Sequence, residues 1–192
     1  MPLAPKDGKL IYHITAIRNF ENILINGLKP RDGLDGFIDV ADTEILEHRA
    51  KFNLNKFVPF HFFAPTPFAG NIQKTFKTES FIYLAVNREK AIEGNFSIIP
   101  THPLNYNDEP LPYSEGFESI DWELMKVRDY KNHSCKEVCL AECITPNIVP
   151  ISMIDIIFVK NDNDKKIIEG LVKKSKVKVN FRITPVSQFF IK

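Results

Sequence analysis

The sequence is poor in the residues on which specialised architectures depend. Its 192 residues include three cysteines and eight glycines, too few for a disulfide-stabilised or collagen-like chain. The odd cysteine count fits a reducing compartment, and the first residues lack the apolar stretch of a signal peptide, so a cytoplasmic protein is expected. The longest apolar runs are too short to span a bilayer, which argues against a membrane protein.

Several common catalytic signatures are also missing. No GxxxxGK(S/T), GxGxxG, HExxH or GxSxG pattern occurs, so the usual signatures of nucleotide hydrolysis, dehydrogenation, zinc proteolysis and serine esterase chemistry are absent. Cys135, Cys139 and Cys143 are spaced four apart without a CxxC pair. That spacing does not favour a metal site, and we interpret the three thiols as small apolar core groups.

Charge of one sign does not dominate the chain. The net charge is +1, so there is no global basic field to attract nucleic acid. Residues 160–192 nevertheless contain nine basic and three acidic residues, a local charge of +6. This segment either forms a phosphate-facing edge or is simply a solvated surface helix and strand.

What the sequence does contain is enough apolar material for a core. It is 44% hydrophobic with 16 phenylalanines, and no repeat or flexible linker divides it, so residues 1–192 are expected to form one domain. Short strands and helices alternate irregularly, which favours an α+β fold, whereas 100–119, with four prolines, is expected to be an irregular loop. Strands are predicted at 10–15, 57–63, 81–86, 96–99, 138–144, 154–159 and 177–183, and helices at 19–26, 43–51, 67–76, 87–93 and 163–174.

Two polar side chains interrupt apolar strands. His13 lies between Tyr12 and Ile14, where it is either a structural histidine with its hydrogen bonds satisfied or part of a site. Glu142 is the single acid of the run 138–144, and burying a carboxylate there costs several kcal/mol unless partners or water meet it. It is either a catalytic carboxylate in a cleft or an edge-strand glutamate on the wet face.

Three blocks of sequence, taken together, resemble the DarT family. The first is Tyr-His-Ile-Thr at 12–15 followed by Asn19, an Ile-Leu pair and Gly27-Leu28. The second is an aromatic strand, Val-Pro-Phe-His-Phe at 58–62, leading to Pro67. The third is Ala141-Glu142 in a strand, with Pro146 and Val149-Pro150 beyond it.

This resemblance implies a poly(ADP-ribose) polymerase-like ADP-ribosyltransferase fold, in which a split mixed or antiparallel sheet and short helices surround an NAD⁺ cleft. It implies an NAD⁺-dependent enzyme that transfers ADP-ribose to a base of single-stranded DNA, acting as a toxin of toxin–antitoxin or phage-defence systems. Its antitoxin would be a macrodomain ADP-ribosyl hydrolase. By similarity Glu142 and Arg49 are catalytic, and NAD⁺ contacts His13, Thr15, Asn19, Gly27, Leu28 and Arg49.

The sequence also departs from the family pattern. His61 stands where the family often has tyrosine, and Ala64-Pro65-Thr66 replaces a stretch that tends to carry arginine. These departures leave thymine, guanine and RNA acceptors open. The alternatives are an ADP-ribosyltransferase acting on RNA or protein, or an inactive module that binds single-stranded nucleic acid. Aromatic and basic residues expected beside the acceptor strand are Tyr106, Tyr113, Phe117, Trp122, Lys126, Arg128, Tyr130 and Lys131.

Overall fold

The chain is built around an eight-stranded sheet. A computed structural model describes residues 4–32, 34 and 53–191. The strand order is β5-β4-β6-β2-β1-β3-β7-β8, in which every pair is antiparallel except β7 and β8. The strands are β1 Leu10–Ala16, β2 Val58–His61, β3 Phe81–Asn87, β4 Ser97–Ile99, β5 Leu111–Pro112, β6 Glu142–Thr145, β7 Ile156–Val159 and β8 Arg182–Pro185.

Seven α-helices among the described residues flank this sheet, which confirms the predicted α+β class. They are α1 Phe20–Asn26, α2 Pro67–Thr75, α3 Arg88–Glu93, α4 Tyr113–Ser119, α5 Trp122–Val127, α6 His133–Val138 and α7 Asp162–Ser175. None of these helices is both long and apolar enough to cross a membrane. The helix predicted at 43–51 lies outside the described residues.

Alternation along β1 separates two apolar layers. Ile11 packs into the larger cluster, which includes the buried faces of α1 and α7. Ile14 and Ala16 face the opposite side, where they meet α2 and the carboxyl-terminal Phe190. Because successive side chains of a strand point to opposite faces, one strand at the centre of the sheet contributes to both layers.

Local signals start the helices where the sequence predicted. The Thr66 hydroxyl accepts a hydrogen bond from the Ala69 amide at 3.2 Å, which caps α2 ahead of its first residue, Pro67. The Asn87 side chain caps α3 in the same way by accepting from Glu89 at 2.9 Å. These caps fix the positions at which α2 and α3 begin, and both predicted helices are confirmed.

The strand predicted at 138–144 is largely wrong. Val138 ends α6, and β6 begins only at Glu142. Asn132 starts α6 by accepting from the Cys135 amide, and Cys135 and Cys139 lie one turn apart on its buried side. The apolar run is continuous from the end of α6 into β6, so hydrophobicity alone does not mark where the helix ends and the strand begins.

Two other boundaries differ from the prediction. The stretch 100–119 is not one irregular loop, because it contains β5 and α4. Gly116 allows α4 to lie directly on β4, since a Cβ there would come within 2.6 Å of Ile98 Cβ. The final strand, predicted at 177–183, is β8 at 182–185 and pairs in parallel with β7.

Candidate active site

A row of paired residues crosses the middle of the sheet and contains the candidate carboxylate. Tyr12 of β1 pairs with His61 of β2, His61 pairs with Glu142 of β6, and Glu142 pairs with Ile99 of β4. Directly paired residues project to the same face of a sheet. Glu142 and His61 are therefore neighbours on one face, at the junction of four strands.

Glu142 occupies an interior strand. β6 lies between β2 and β4, so Glu142 is not an edge-strand residue, and it is 7% exposed. The alternative of a wet-face glutamate on a sheet edge is therefore wrong. A buried carboxylate beside an imidazole is costly to maintain for stability alone, which makes this position a candidate for chemistry.

His13 lies where the sheet opens. β1 and β2 pair at the single position Tyr12–His61, and one residue further along β1 the His13 ring reaches across to β2 instead. Its Nδ1 lies 2.8 Å from the carbonyl oxygen of Pro59. Because a carbonyl only accepts, Nδ1 carries the proton, and in the neutral ring Nε2 is an acceptor suited to a hydroxyl donor. This opening is the split expected in the sheet.

Asn19 and Thr15 are joined side by side after β1. Asn19 precedes α1 but makes no capping side-chain bond, since a 3₁₀ turn over Ile17–Asn19 leads directly into the helix. Its Nδ2 instead donates to Thr15 Oγ1 at 3.2 Å. Asparagine at this position is a common helix cap, but here the Asn19 side chain is directed toward the strand that carries His13.

The Gly27–Leu28 turn is a sharp change of direction after α1. Gly27 has φ +76°, and a Cβ there would lie 2.7 Å from Ile148 and 2.9 Å from the Val149 carbonyl. Leu28 and Val149 exchange two backbone hydrogen bonds of 2.8 and 2.9 Å. Only glycine fits this conformation and this approach, which accounts for the Gly-Leu pair in structural terms.

Two histidines in the neighbourhood of Glu142 were not assigned to the site from the sequence. His61 Nδ1 lies 3.2 Å from the carbonyl oxygen of Ala141, the residue before Glu142. His102 interacts electrostatically with both Glu142 and His61, and burial lowers the pKa of its imidazole. Leu104 N–H donates to His102 Nδ1 at 3.3 Å, so the proton of the neutral ring is on Nε2. His102 lies in the loop after β4, and nothing in its sequence position indicated that it belongs near Glu142.

The remaining predicted residues have different positions. Arg49 lies outside the described residues. In the acceptor stretch, Trp122 is buried, and Tyr113 and Phe117 pack against the core. Arg128 lies 4.5 Å from the centre of the Phe63 ring. Among the described residues no group of three or more histidine, cysteine or acidic side chains could hold a metal ion.

Comparisons with known proteins agree with this architecture. The family model for DarT, described as an ssDNA thymidine ADP-ribosyltransferase, matches residues 12–191. The solved structure of Thermus sp. 2.9 DarT in complex with ADP-ribosylated ssDNA has a TM-score of 0.83 and 18% identity, covering 96% of this chain and 97% of that one. Its complex with NAD⁺ gives 0.79 and 16%, with 96% and 98% covered.

A third solved structure is longer than this chain. Thermosipho africanus DarTG in complex with ADP-ribose has a TM-score of 0.69 and 20% identity, and the match covers 95% of this chain but 51% of that one. A search of the curated proteins found no significant match. At these identities the solved structures establish the fold, an ADP-ribosyltransferase fold, as the sequence blocks implied.

Proposed function

Since this chain belongs to the DarT family of ssDNA thymidine ADP-ribosyltransferases, we propose that Glu142 is the catalytic carboxylate with which it transfers ADP-ribose from NAD⁺ to a base in single-stranded DNA. The observation that carries the proposal is the burial of this one acid in an interior strand, 7% exposed and paired with His61. We further propose that Arg49 assists it, as the family resemblance implies.

The reaction requires a carboxylate close to the nicotinamide ribose. Cleavage of the bond from ribose to nicotinamide develops oxocarbenium character, as in glycoside hydrolysis. A carboxylate beside that sugar stabilises the positive charge in the transition state and orients a ribose hydroxyl. It can also accept the proton that the attacking base nitrogen loses when the new glycosidic bond forms. In our proposal Glu142 fulfils all of these roles.

The residues at the split of the sheet are proposed to hold NAD⁺. His13, protonated on Nδ1 by its bond to Pro59, would accept from a ribose hydroxyl through Nε2. Thr15 and Asn19, joined by their 3.2 Å hydrogen bond, would shape the wall next to it. As the family resemblance implies, we propose that the Gly27–Leu28 turn after α1 also contacts NAD⁺.

Substitution of Glu142 by glutamine tests the proposal. The amide keeps the volume but neither stabilises positive charge nor accepts a proton, so the rate of transfer to single-stranded DNA should fall at least a hundred- to a thousandfold. Mass spectrometry of modified oligonucleotides measures the rate, and thermal melting checks the fold. Glu93→Gln, at an exposed position of α3, is the control and should be fully active.

The same assay separates the acceptor classes. NAD⁺ is incubated with single-stranded DNA containing thymine or guanine as the only reactive base, with RNA of the same sequence, and with protein. Modification of thymine in DNA is expected. Modification confined to RNA or protein, or near wild-type rates in Glu142→Gln, would contradict the assignment.

We also propose a biological setting. The family resemblance suggests a toxin of a toxin–antitoxin pair with a role in phage defence, acting in the cytoplasm, where NAD⁺ and exposed DNA strands are available. Its partner would be a macrodomain hydrolase that removes ADP-ribose from DNA. Expression of the wild-type chain should arrest growth, whereas Glu142→Gln should not, and co-expression of such a hydrolase should restore growth.

A further inference from the structure

His61 links two strands of the row that contains Glu142. It is the last residue of β2 and pairs with Glu142, the first residue of β6. It is 7% exposed, so its imidazole lies inside the protein. A buried polar side chain is held by the groups to which it bonds, and the groups that His61 contacts indicate what it does for the carboxylate beside it.

The imidazole bonds to the main chain at the point where β6 begins. His61 Nδ1 lies 3.2 Å from the carbonyl oxygen of Ala141, the residue directly before Glu142. Because a carbonyl only accepts, Nδ1 carries the proton and donates it to this bond. The side chain of one strand therefore holds the peptide group that joins Ala141 to Glu142 in the next strand.

That peptide group is the one from which Glu142 extends. The carbonyl of Ala141 and the amide nitrogen and Cα of Glu142 lie in one plane, because the bond between them has partial double-bond character. A donor that fixes the direction of the carbonyl therefore also fixes the plane that contains Glu142 Cα. The hydrogen bond from His61 thus limits where the carboxylate can lie.

The same peptide group is held from two other directions. In a trans peptide the carbonyl and the N–H point opposite ways, so the Glu142 amide is directed toward β4, where Glu142 pairs with Ile99. On the chain side, the Ala141 amide donates to the carbonyl oxygen of Val138 at 3.1 Å in the turn that leaves α6. Of these three restraints, the bond from His61 is the one that a side-chain substitution can remove.

Packing fixes the imidazole ring itself. Its centroid lies 5.8 Å from that of Phe68, with an interplanar angle of 42°. Phe68 is the second residue of α2, whose start is capped by Thr66. A functional group is held accurately when the residues that support it are themselves locked by packing. His61 meets this condition, since a helix and a strand both restrain it.

This contact is particular to a chain with histidine at position 61. The related family often has tyrosine there, and a tyrosine hydroxyl lies at the far end of its ring, beyond the place that Nδ1 occupies. Tyrosine in the same conformation therefore could not donate to the Ala141 carbonyl. The departure from the family pattern coincides with a hydrogen bond next to the proposed catalytic residue.

We propose that His61 is a positioning residue, which holds the peptide group of Glu142 so that the carboxylate meets the ribose of NAD⁺ in the reactive geometry. This inference rests on the proposed function and adds a residue to it. Misplacing a catalytic group by about 1 Å can cost about a hundredfold in rate. Loss of the bond should therefore lower kcat rather than the affinity for either substrate.

Two amides of different length test the role of Nδ1. The side-chain nitrogen of asparagine can take the place of Nδ1, whereas that of glutamine reaches the place of Nε2, so His61→Asn keeps the donor and His61→Gln displaces it. His61→Leu removes it. Thr145→Val is the matched control, because it removes a 3.2 Å bond to the Asn147 amide from a buried side chain at the other end of β6.

The kcat for transfer to single-stranded DNA should fall about ten- to a hundredfold in His61→Gln and His61→Leu. The KM for NAD⁺ and the KM for the oligonucleotide should not change. His61→Asn should retain most of the wild-type kcat. Thr145→Val should keep the wild-type kcat even if its melting temperature falls as far as that of His61→Leu, which separates positioning from a general loosening of β6.

A double substitution shows whether His61 acts through Glu142. Combined with Glu142→Gln, His61→Gln should have no further effect on the residual rate, because no carboxylate is left to place. The same fold loss in both backgrounds, or equal kcat in His61→Asn and His61→Gln, would overturn the inference and leave the proposed function intact. Near wild-type transfer by Glu142→Gln alone would instead contradict the proposed function.

Discussion

The clearest pH-sensitive residue near the proposed site is His102. Burial lowers its pKa, despite the opposing pull of Glu137 and Glu142, so the folded protein holds the ring neutral below the ordinary histidine pKa of about 6.5. In that window the unfolded chain binds more protons than the folded one. The contribution of His102 to stability is therefore complete above about pH 6.5 and is lost as the pH falls toward its folded-state pKa.

Replacement of His102 by glutamine should flatten this pH dependence. The free energy of unfolding, measured in urea at pH 7.5 and pH 5.5, should fall less for His102→Gln than for the wild type. His133→Gln, at the exposed start of α6, is the matched control and should retain the wild-type difference. Identical losses in all three proteins would show that His102 is not held neutral by the fold.

At the scale of elements, two glycines within helices should respond to alanine in opposite directions. In α4, a Cβ at Gly116 would lie 2.6 Å from Ile98 Cβ and 3.2 Å from Leu111 Cβ, so Gly116→Ala should push the helix off β4 and cost about 1–3 kcal/mol. In α7, a Cβ at Gly170 meets no atom of the described residues within 4 Å. Gly170→Ala should therefore stabilise the protein by about 0.5–1 kcal/mol.

Urea unfolding of the two variants measures both changes. If Gly116→Ala proved as stable as the wild type, α4 would not be in close contact with β4.

At the scale of the whole molecule, Arg88 joins parts that are distant in sequence. Its guanidinium donates to the carbonyl oxygens of Pro5, Lys6, Leu10 and Phe62, and it lies 5.3–5.7 Å from three aromatic ring centres. Arg88→Met should cost about 3 kcal/mol or more, because several carbonyls lose charged donors at once.

The matched control is Arg182→Met, at an exposed position of β8, which should cost no more than about 1 kcal/mol. Thermal melting compares the two variants. Limited proteolysis should cut Arg88→Met near its amino terminus before any other site. A uniform loss of protection along the chain would show that Arg88 does not hold the amino-terminal turn in place.

The sequence predicted most elements because their signals are local. Caps and apolar alternation identify α2, β3 and α3, whereas the boundaries of β6, α4 and β8 depend on partners far along the chain. The same division applies to the site. The setting of Glu142 among apolar residues marked it, but the neighbourhood of His102 arises only when β4 pairs with β6. The buried Arg88 gave no sequence signal, because its acceptors are backbone atoms.

The interior place of β6 has a consequence for protein synthesis. Residues 142–145 enter the sheet between β2 and β4, both of which leave the ribosome much earlier. Until then those two strands have unpaired edges, and the nascent polypeptide lacks the acid on which our mechanism depends. Prematurely terminated products that end before Glu142 should therefore be harmless to the cell that makes them.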